Sequence, residues 1–307
     1  MMDLEYSMAK ILLESAIEGL TDALSPNTLR AYRADNLIFL EFCEKARLDA
    51  YPASLSTLLS FIDARSLEAH PRTIERQLFA IQTLHQAMGL SHACDSIEVR
   101  IAMRKLKRLP NAPPMQAQGM TIALRDQLLA VTDESLKGMR DRALLHLAFE
   151  SMRRRSELVA FLVSDWSQRV DGTSLIKLRR SKTDQAGTGF MMALSRQCTE
   201  AIDEWLSQAN ISEGPLLRSI HKDGVSIGQK AMHDRSIGRI YHWLAEKAGI
   251  PKADRMKLSA HSSRVGPAQE LLMRGETVPQ IMRRGGWTSP DMVARYTKHA
   301  DLDPLPF

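Results

Sequence analysis

Near the carboxyl end of this 307-residue chain, His261-Ser-Ser-Arg264 is followed by Arg283-Arg284-Gly-Gly-Trp287 and then by Tyr296. A phenol, an imidazole, a guanidinium and an indole N–H together suit attack on a phosphodiester: one group attacks and the others donate to the charge that develops on phosphorus. His261 and Arg264 are three apart, so on a helix they share one face. Ser289-Pro290 reads as a second helix start, serine as N-cap and proline at the first helical position. On that helix Met292, Val293 and Tyr296 fall at i, i+1 and i+4, which lays the tyrosine over an apolar anchor.

No metal or nucleotide signature accompanies them. The sequence has no Gly-rich phosphate loop, no HExxH, no CxxC pair and no cluster of acids fit for Mg²⁺. Neither metal nor cofactor is expected, so side chains must supply the charge. Bidentate arginines suit that task best, and Arg154 and Arg264 are expected to clamp the non-bridging oxygens. His261 and the Trp287 indole add hydrogen bonds, and His261 can also accept the phenolic proton. Tyr296 is the expected nucleophile; a phenol ionises only near about 10, so it needs cations or a base beside it. Lys182, at the tip of an expected hairpin, is the general acid for the departing 5′ oxygen.

Each residue also has a plainer reading. A tyrosine on an amphipathic helix is usually a packing residue, and an isolated HxxR is weak. Arg153-Arg154-Arg155 reads equally as a solvated helix end, the Lys182 loop as a polar turn, and Trp287 as core. Order, spacing and residue type have to be weighed together.

The elements that must position these groups are mostly helical. Helices are expected over residues 1–22, 25–43, 54–65, 71–88 and 96–109. The fourth carries Ile74, Leu78, Ile81, Leu84 and Met88 as an apolar stripe, with Arg72, Thr73, Arg76 and Gln77 on the other side. With no strand signal there, residues 1–109 form an expected all-α domain. Three prolines and a glycine over 110–119 mark a linker. The basic run Arg104-Lys-Leu-Lys-Arg108 before it is either a solvated face or a track for a phosphate backbone. From 120 to 307 the pattern mixes helices, near 123–132, 138–150, 197–208 and 231–248, with short strands at Val163–Asp165, Leu175–Leu178 and Phe190–Leu194. The last two pair as a hairpin whose tip is Ser181 to Gly187. The fold class is mainly α: an all-α first domain and a mostly helical second one with one small antiparallel sheet.

Composition sets bounds. Hydrophobic residues make up 44% and charged residues 25%, as in a globular protein able to bury a core. The net charge of +5 permits a nucleic-acid partner without requiring one. Cys43, Cys94 and Cys198 are odd in number and lack metal spacing, which suits a reducing compartment. No apolar run approaches the roughly 18 residues of a membrane span, and no signal pattern opens the chain. A soluble, unsecreted, cytoplasmic protein with no membrane partner is expected.

The set as a whole resembles the tyrosine recombinase (phage integrase) family, and within it the Cre-like site-specific recombinases most closely. The family's order is Arg, a hairpin Lys, His-x-x-Arg, His or Trp, then Tyr. Here it is met by Arg154 in RRRSEL, Lys182 in SKTDQ, His261 and Arg264 in HSSRVG, Trp287 in GGW, and Tyr296. The strings HSSRVGPAQELL and VPQIMRRGGWTSPDMVARY are highly specific, and the similarity extends along nearly the whole chain, more weakly in the first domain.

The resemblance implies a two-domain DNA clamp: a core-binding domain over 1–109 and a catalytic domain over 120–307. It implies strand exchange between two duplex sites through a covalent 3′-phosphotyrosine and a Holliday junction, without ATP or metal, by a homotetramer on inverted-repeat sites. It makes Glu157 a carboxylate that orients the active-site arginine. Register against Ser156-Glu157-Leu158 favours Arg154 over Arg153 as that arginine, with Arg153→Ala the milder change. DNA contacts are implied for Arg30, Arg72, Thr73, Arg76 and Gln77, and for Lys222 and Arg235 in the second domain. Two features depart from the pattern. The eleven residues after Tyr296 are short for the family's C-terminal helix, so Leu302, Leu305 and Phe307 are expected to dock as an extended tail or subunit contacts to lie elsewhere. Pro267 implies that its helix starts near Arg264 or is kinked. A type IB topoisomerase and a non-catalytic DNA-binding protein are the rival readings.

Overall fold

The computed structural model describes residues 2–109, 116–180, 189–298 and 300. The chain divides into two compact units, residues 1–114 and 115–307.

The described part of the first unit holds five helices: α1 (Met2–Gly19), α2 (Pro26–Ala46), α3 (Leu55–Ser66), α4 (Pro71–Ala87) and α5 (Ile97–Arg108). Their starts follow local chemistry. Ser25, Ser54 and Ser96 each accept an N–H from the first turn, and Pro26 and Pro71 occupy early positions where no N–H is needed. The stripe on α4 is buried as expected at Ile74, Leu78, Ile81 and Leu84, against Phe39, Leu58 and Phe61. Gln77 departs from expectation. It is buried, and its carboxamide oxygen accepts from Arg65 Nε at 3.4 Å. It helps hold the buried Asp35 carboxylate, which is ion-paired to Arg76.

The second unit opens with α6 (Ile122–Leu129), α7 (Leu136–Ser151) and α8 (Arg155–Leu158). An antiparallel sheet follows in the order β1 (Trp166–Gln168), β2 (Ser174–Leu178), β3 (Phe190–Leu194), with Ile176 opposite both Trp166 and Met192. Residues 163–165 form a 3₁₀ turn rather than the expected strand, because the Asp165 carboxylate accepts the Leu162 N–H at 2.9 Å and curls the chain. After α9 (Arg196–Gln208) comes a second sheet that the sequence reading did not contain, β4 (Arg218–Ile220) paired with β5 (Ile227–Ala231). Its turn is built by Asp223, whose Oδ1 accepts the N–H groups of Val225 and Ser226, and by Gly224 at a positive φ of 77°. The next helix, α10 (Ser236–Lys247), therefore starts later than the expected 231. Then come α11 (Lys252–Arg255), α12 (Ser262–Met273), α13 (Val278–Gly285) and α14 (Pro290–Thr297). Helix α12 begins two residues before Arg264 and carries Pro267 inside it. The core centres on Trp205, Leu144, Ile176 and Tyr241. A smaller cluster of Met152, Val265, Ala268, Ile281, Trp287, Val293 and Tyr296 lies apart from it. Among the described residues no helix is long and apolar enough to cross a membrane.

Candidate active site

Helix α7 stops because Met152 takes the left-handed conformation, φ 54°. That reversal gives the two arginines after it different fates. Arg153 turns inward: its guanidinium is buried, donates from Nε to the Ser151 carbonyl at 2.6 Å and from Nη2 to the Arg284 carbonyl, and lies 5.5 Å from the Phe190 ring. Arg154 is the N-cap of α8 and is partly exposed. The buried Glu157 carboxylate grips it twice, accepting its backbone N–H at 2.9 Å and its Nη1 at 2.8 Å. The triple arginine is not a solvated helix end. Arg155 pairs with Asp234 at 2.9 Å.

His261 stands at the N-cap position of α12 without a side-chain capping bond, and Arg264 follows within the first turn. The Arg264 side chain is buried; Nη1 donates to the Met152 carbonyl and Nη2 to that of Gly285 at 3.4 Å. Its Nε has no acceptor among the described residues. Its guanidinium carbon stands 5.4 Å from the centre of the Trp287 ring.

Two glycines allow the close approach of α13 and α14 to this layer. A Cβ on Gly285 would meet the Trp287 ring at 2.6 Å, and one on Gly286, whose φ is 62°, would meet the Arg153 guanidinium at 2.5 Å. Ser289 caps α14 by accepting the Asp291 N–H at 3.2 Å, and Pro290 follows, as read from the sequence. Val293 and Tyr296 are buried on the inner side. The Tyr296 and Trp287 rings are 5.1 Å apart and tilted at 55°. The Trp287 Nε1–H, like Arg264 Nε, is buried and finds no acceptor among the described residues.

The charge is lopsided. Burial, with Arg264 next, lowers the Arg153 pKa to about 10. Burial and then Arg154 also lower that of Arg264, while Tyr296 and Glu157 act in the opposite direction. His261 is exposed at the edge of the site, but partial desolvation of its ring, and then the cations Arg264, Arg155 and Arg154, lower its pKa below the usual histidine range. Such a site favours an anion and keeps its imidazole neutral, hence able to take a proton.

The structure thus brings Arg154, Glu157, His261, Arg264, Trp287 and Tyr296 into one neighbourhood. Lys182 lies outside the described residues, as do Leu302, Leu305 and Phe307. In the first unit Arg30 and Arg72 are exposed and Thr73 half-buried at the start of α4; Arg76 is exposed but committed to Asp35, and Gln77 is inside. Lys222 is exposed in the β4–β5 turn and Arg235 just before α10. Sequence reasoning missed the anchoring of Arg153 and the Gln116 and Gln269 contacts described below. A lone Gln has no spacing that announces it. Three successive arginines gave a signal, but not a direction.

A buried phenol beside guanidiniums, an indole N–H and a neutral imidazole, on a mostly helical unit with a small antiparallel sheet, is the equipment of enzymes that transfer DNA strands through tyrosine. The model of the phage integrase family matches residues 122–302. The chain belongs to that family, and it is an enzyme of the site-specific tyrosine recombinase class. It is similar to the recombinase Cre of Escherichia phage P1, 28% identical over 247 residues that make up 76% of this chain and 72% of Cre. An integrase/recombinase XerD homolog of Selenomonas ruminantium is 29% identical over 289 residues, 90% of this chain and 82% of the relative. In fold it resembles the XerH recombinase in a post-cleavage complex with palindromic difH substrate, at a TM-score of 0.63 and 17% identity over 89% of this chain and 76% of that one. A lambda integrase dimer on a core site gives the same TM-score, at 14% identity over 97% and 80% of the two chains.

Proposed function

We propose that this protein exchanges strands between two duplex DNA sites, with Tyr296 as the nucleophile. The observation that carries the assignment is the pair of buried donors without acceptors among the described residues, Arg264 Nε and Trp287 Nε1, with the Trp287 ring in contact with both the arginine and the tyrosine. A buried donor left unpaired costs about 1–3 kcal/mol, which a phosphoryl oxygen placed there would recover.

Tyr296 Oη attacks phosphorus and its proton passes to His261. The bond from phosphorus to the 5′ oxygen breaks, and Lys182 protonates that oxygen. Arg154, steadied by Glu157, and Arg264 hold the non-bridging oxygens as charge accumulates. The 5′ hydroxyl of the partner strand then attacks the 3′-phosphotyrosine and expels Tyr296. Bond types are conserved, so no energy source enters. Residues 1–109 serve as the core-binding domain, with Arg30, Arg72 and Thr73 toward the groove. Lys222 and Arg235 contact DNA from residues 120–307. Four protomers on paired inverted repeats complete two such exchanges in the cytoplasm. The tail residues Leu302, Leu305 and Phe307 join protomers; deleting 301–307 should impair tetramer assembly on DNA, and intact assembly would discard that role.

The test uses a duplex selected for binding from a random-sequence pool and nicked beside the cleavage position, so that the released fragment escapes. A covalent adduct that Tyr296→Phe abolishes, without loss of binding, excludes a protein that only binds DNA. Exchange between two intact duplexes excludes a simple topoisomerase. Lys182→Ala should slow cleavage with affinity nearly intact; a collapse of affinity would remove Lys182 from the general-acid role.

A further inference from the structure

The tyrosine helix is held at its carboxyl end by two side-chain amides. The main-chain carbonyl of Tyr296 accepts from Gln116 Nε2 and from Gln269 Nε2, each at 3.2 Å. Tyr296 is the penultimate residue of α14, so its carbonyl is one of those a helix leaves without an internal partner. Most such carbonyls turn to water or to a glycine cap. This one meets two carboxamides from separate segments.

Gln269 is buried on α12. Gln116 is half-buried and belongs to residues 116–120, a strap without regular structure laid across that helix. The strap is pinned by its backbone. Gln118 N–H donates to the Lys257 carbonyl and Met120 N–H to that of Ser262, both at 2.9 Å. Two glycines make the contact close enough. A Cβ on Gly266 would collide with the Met120 carbonyl, and one on Gly119 with the Gln269 carboxamide oxygen. Strap, α12 and α14 are therefore joined through one carbonyl, and that carbonyl belongs to the residue whose side chain is read as the nucleophile.

A helix of eight residues has little rigidity of its own. Ser289 fixes the start of α14 and burial of Val293 fixes its middle. The two amides fix its end, and with it the height and rotation of the Tyr296 ring. Precision there matters, because a misplacement of about 1 Å at a reacting atom can cost roughly 100-fold in rate.

We propose that Gln116 and Gln269 are positioning residues for the nucleophile, acting through the Tyr296 main chain rather than through DNA. The proposal rests on the reading of Tyr296 as nucleophile. It extends the active site to a strap that carries none of the groups taking part in the chemistry.

Gln116→Glu is the decisive variant. It keeps the shape, exchanges the donor for a carboxylate that repels the carbonyl, and sits at a half-buried position that should not unfold the chain. On the nicked duplex at saturating DNA, adduct formation should slow about 10-fold, with Kd and Tm unchanged. The pH–rate profile should keep its midpoint and lose height, because geometry and not proton affinity has changed. Gln116→Lys, which again offers an N–H, should recover most of the rate. Gln269→Glu should lower the rate at least as much. A wild-type rate in Gln116→Glu, or a loss matched by an equal loss of affinity or Tm, would overturn the proposal. Were the wild-type protein to form no Tyr296-dependent adduct on the same duplex, the fault would lie in the assignment of the nucleophile.

Discussion

The Arg264 guanidinium lies over the Trp287 ring, 5.4 Å from its centre, and the Tyr296 ring centre is 5.1 Å from the same point. The indole thus touches both the cation and the phenol, and its N–H, without an acceptor among the described residues, is part of the same layer. Trp287→Phe separates the two jobs. It preserves an aromatic ring and removes the donor, so cleavage at saturating DNA should fall about 100-fold with little change in Tm. Trp287→Ala should lose both. Equal rates for wild type and Trp287→Phe would show that the indole only fills space.

The neighbouring arginines should fail in different ways. Arg153→Ala leaves the Ser151 and Arg284 carbonyls without their guanidinium partner and opens a hole beside Gly286. It should cost about 2–4 kcal/mol of stability, read from urea denaturation. The sequence expectation that Arg153→Ala is the milder of the two changes concerns cleavage, where Arg154 is read as the active-site arginine. Arg154→Ala leaves the buried Glu157 carboxylate with only the Arg154 backbone N–H, so it should lose about 1–3 kcal/mol as well, yet form little adduct under conditions where the variant is fully folded. Adduct formed at the wild-type rate by folded Arg154→Ala, and none by folded Arg153→Ala, would exchange their roles.

Cleavage should have an acid limb set by His261. Its pKa is lowered by partial desolvation of the ring and then by Arg264, Arg155 and Arg154, so it stays neutral to lower pH than an ordinary histidine. As a proton acceptor it should support cleavage down to its own depressed pKa, and activity should fall only below that point. Arg155→Met removes one of the three cations and should move the midpoint upward. A midpoint that does not respond would take His261 out of the proton path.

Stability should have an acid limit of its own, in a different part of the second unit. His146 on α7 is buried, and its pKa is lowered from 6.5 to about 4 by burial first and then Arg125, partly opposed by Asp126, with Arg142 adding to the decrease. Between those two values the unfolded chain takes up a proton that the folded chain refuses. Stability therefore falls as the pH drops from 6.5 to 4, by up to about 3 kcal/mol at roughly 1.4 kcal/mol per unit. His146→Gln should flatten this slope in a series of denaturation curves. An unchanged slope would assign the acid sensitivity to other groups.

The chemistry of the site was legible in the sequence because it is carried by residue types at short spacing. Ser289-Pro290 specified where α14 starts, His261 and Arg264 were set one turn apart, and Tyr296 fell on the same face as Val293. Local rules of capping and periodicity act over a few residues, so a sequence displays them directly. The five helices described in the first unit follow from the same rules. The β4–β5 hairpin was passed over although Asp223-Gly224 marks its turn, because short strands of mixed polarity carry little alternation to read.

Only the tertiary structure decided which way the arginines after α7 point. A left-handed Met152 turned Arg153 inward onto carbonyls from two segments and left Arg154 to Glu157. The same holds for Gln77, drawn inside to support Asp35, and for Gln116 and Gln269, which meet at the carbonyl of Tyr296. A sequence sets which donors a chain owns and, through local periodicity, which turn of which helix bears them. Which acceptor each donor reaches depends on segments brought together from 27 to 180 positions away, and that choice is made by burial and backbone satisfaction across the whole unit.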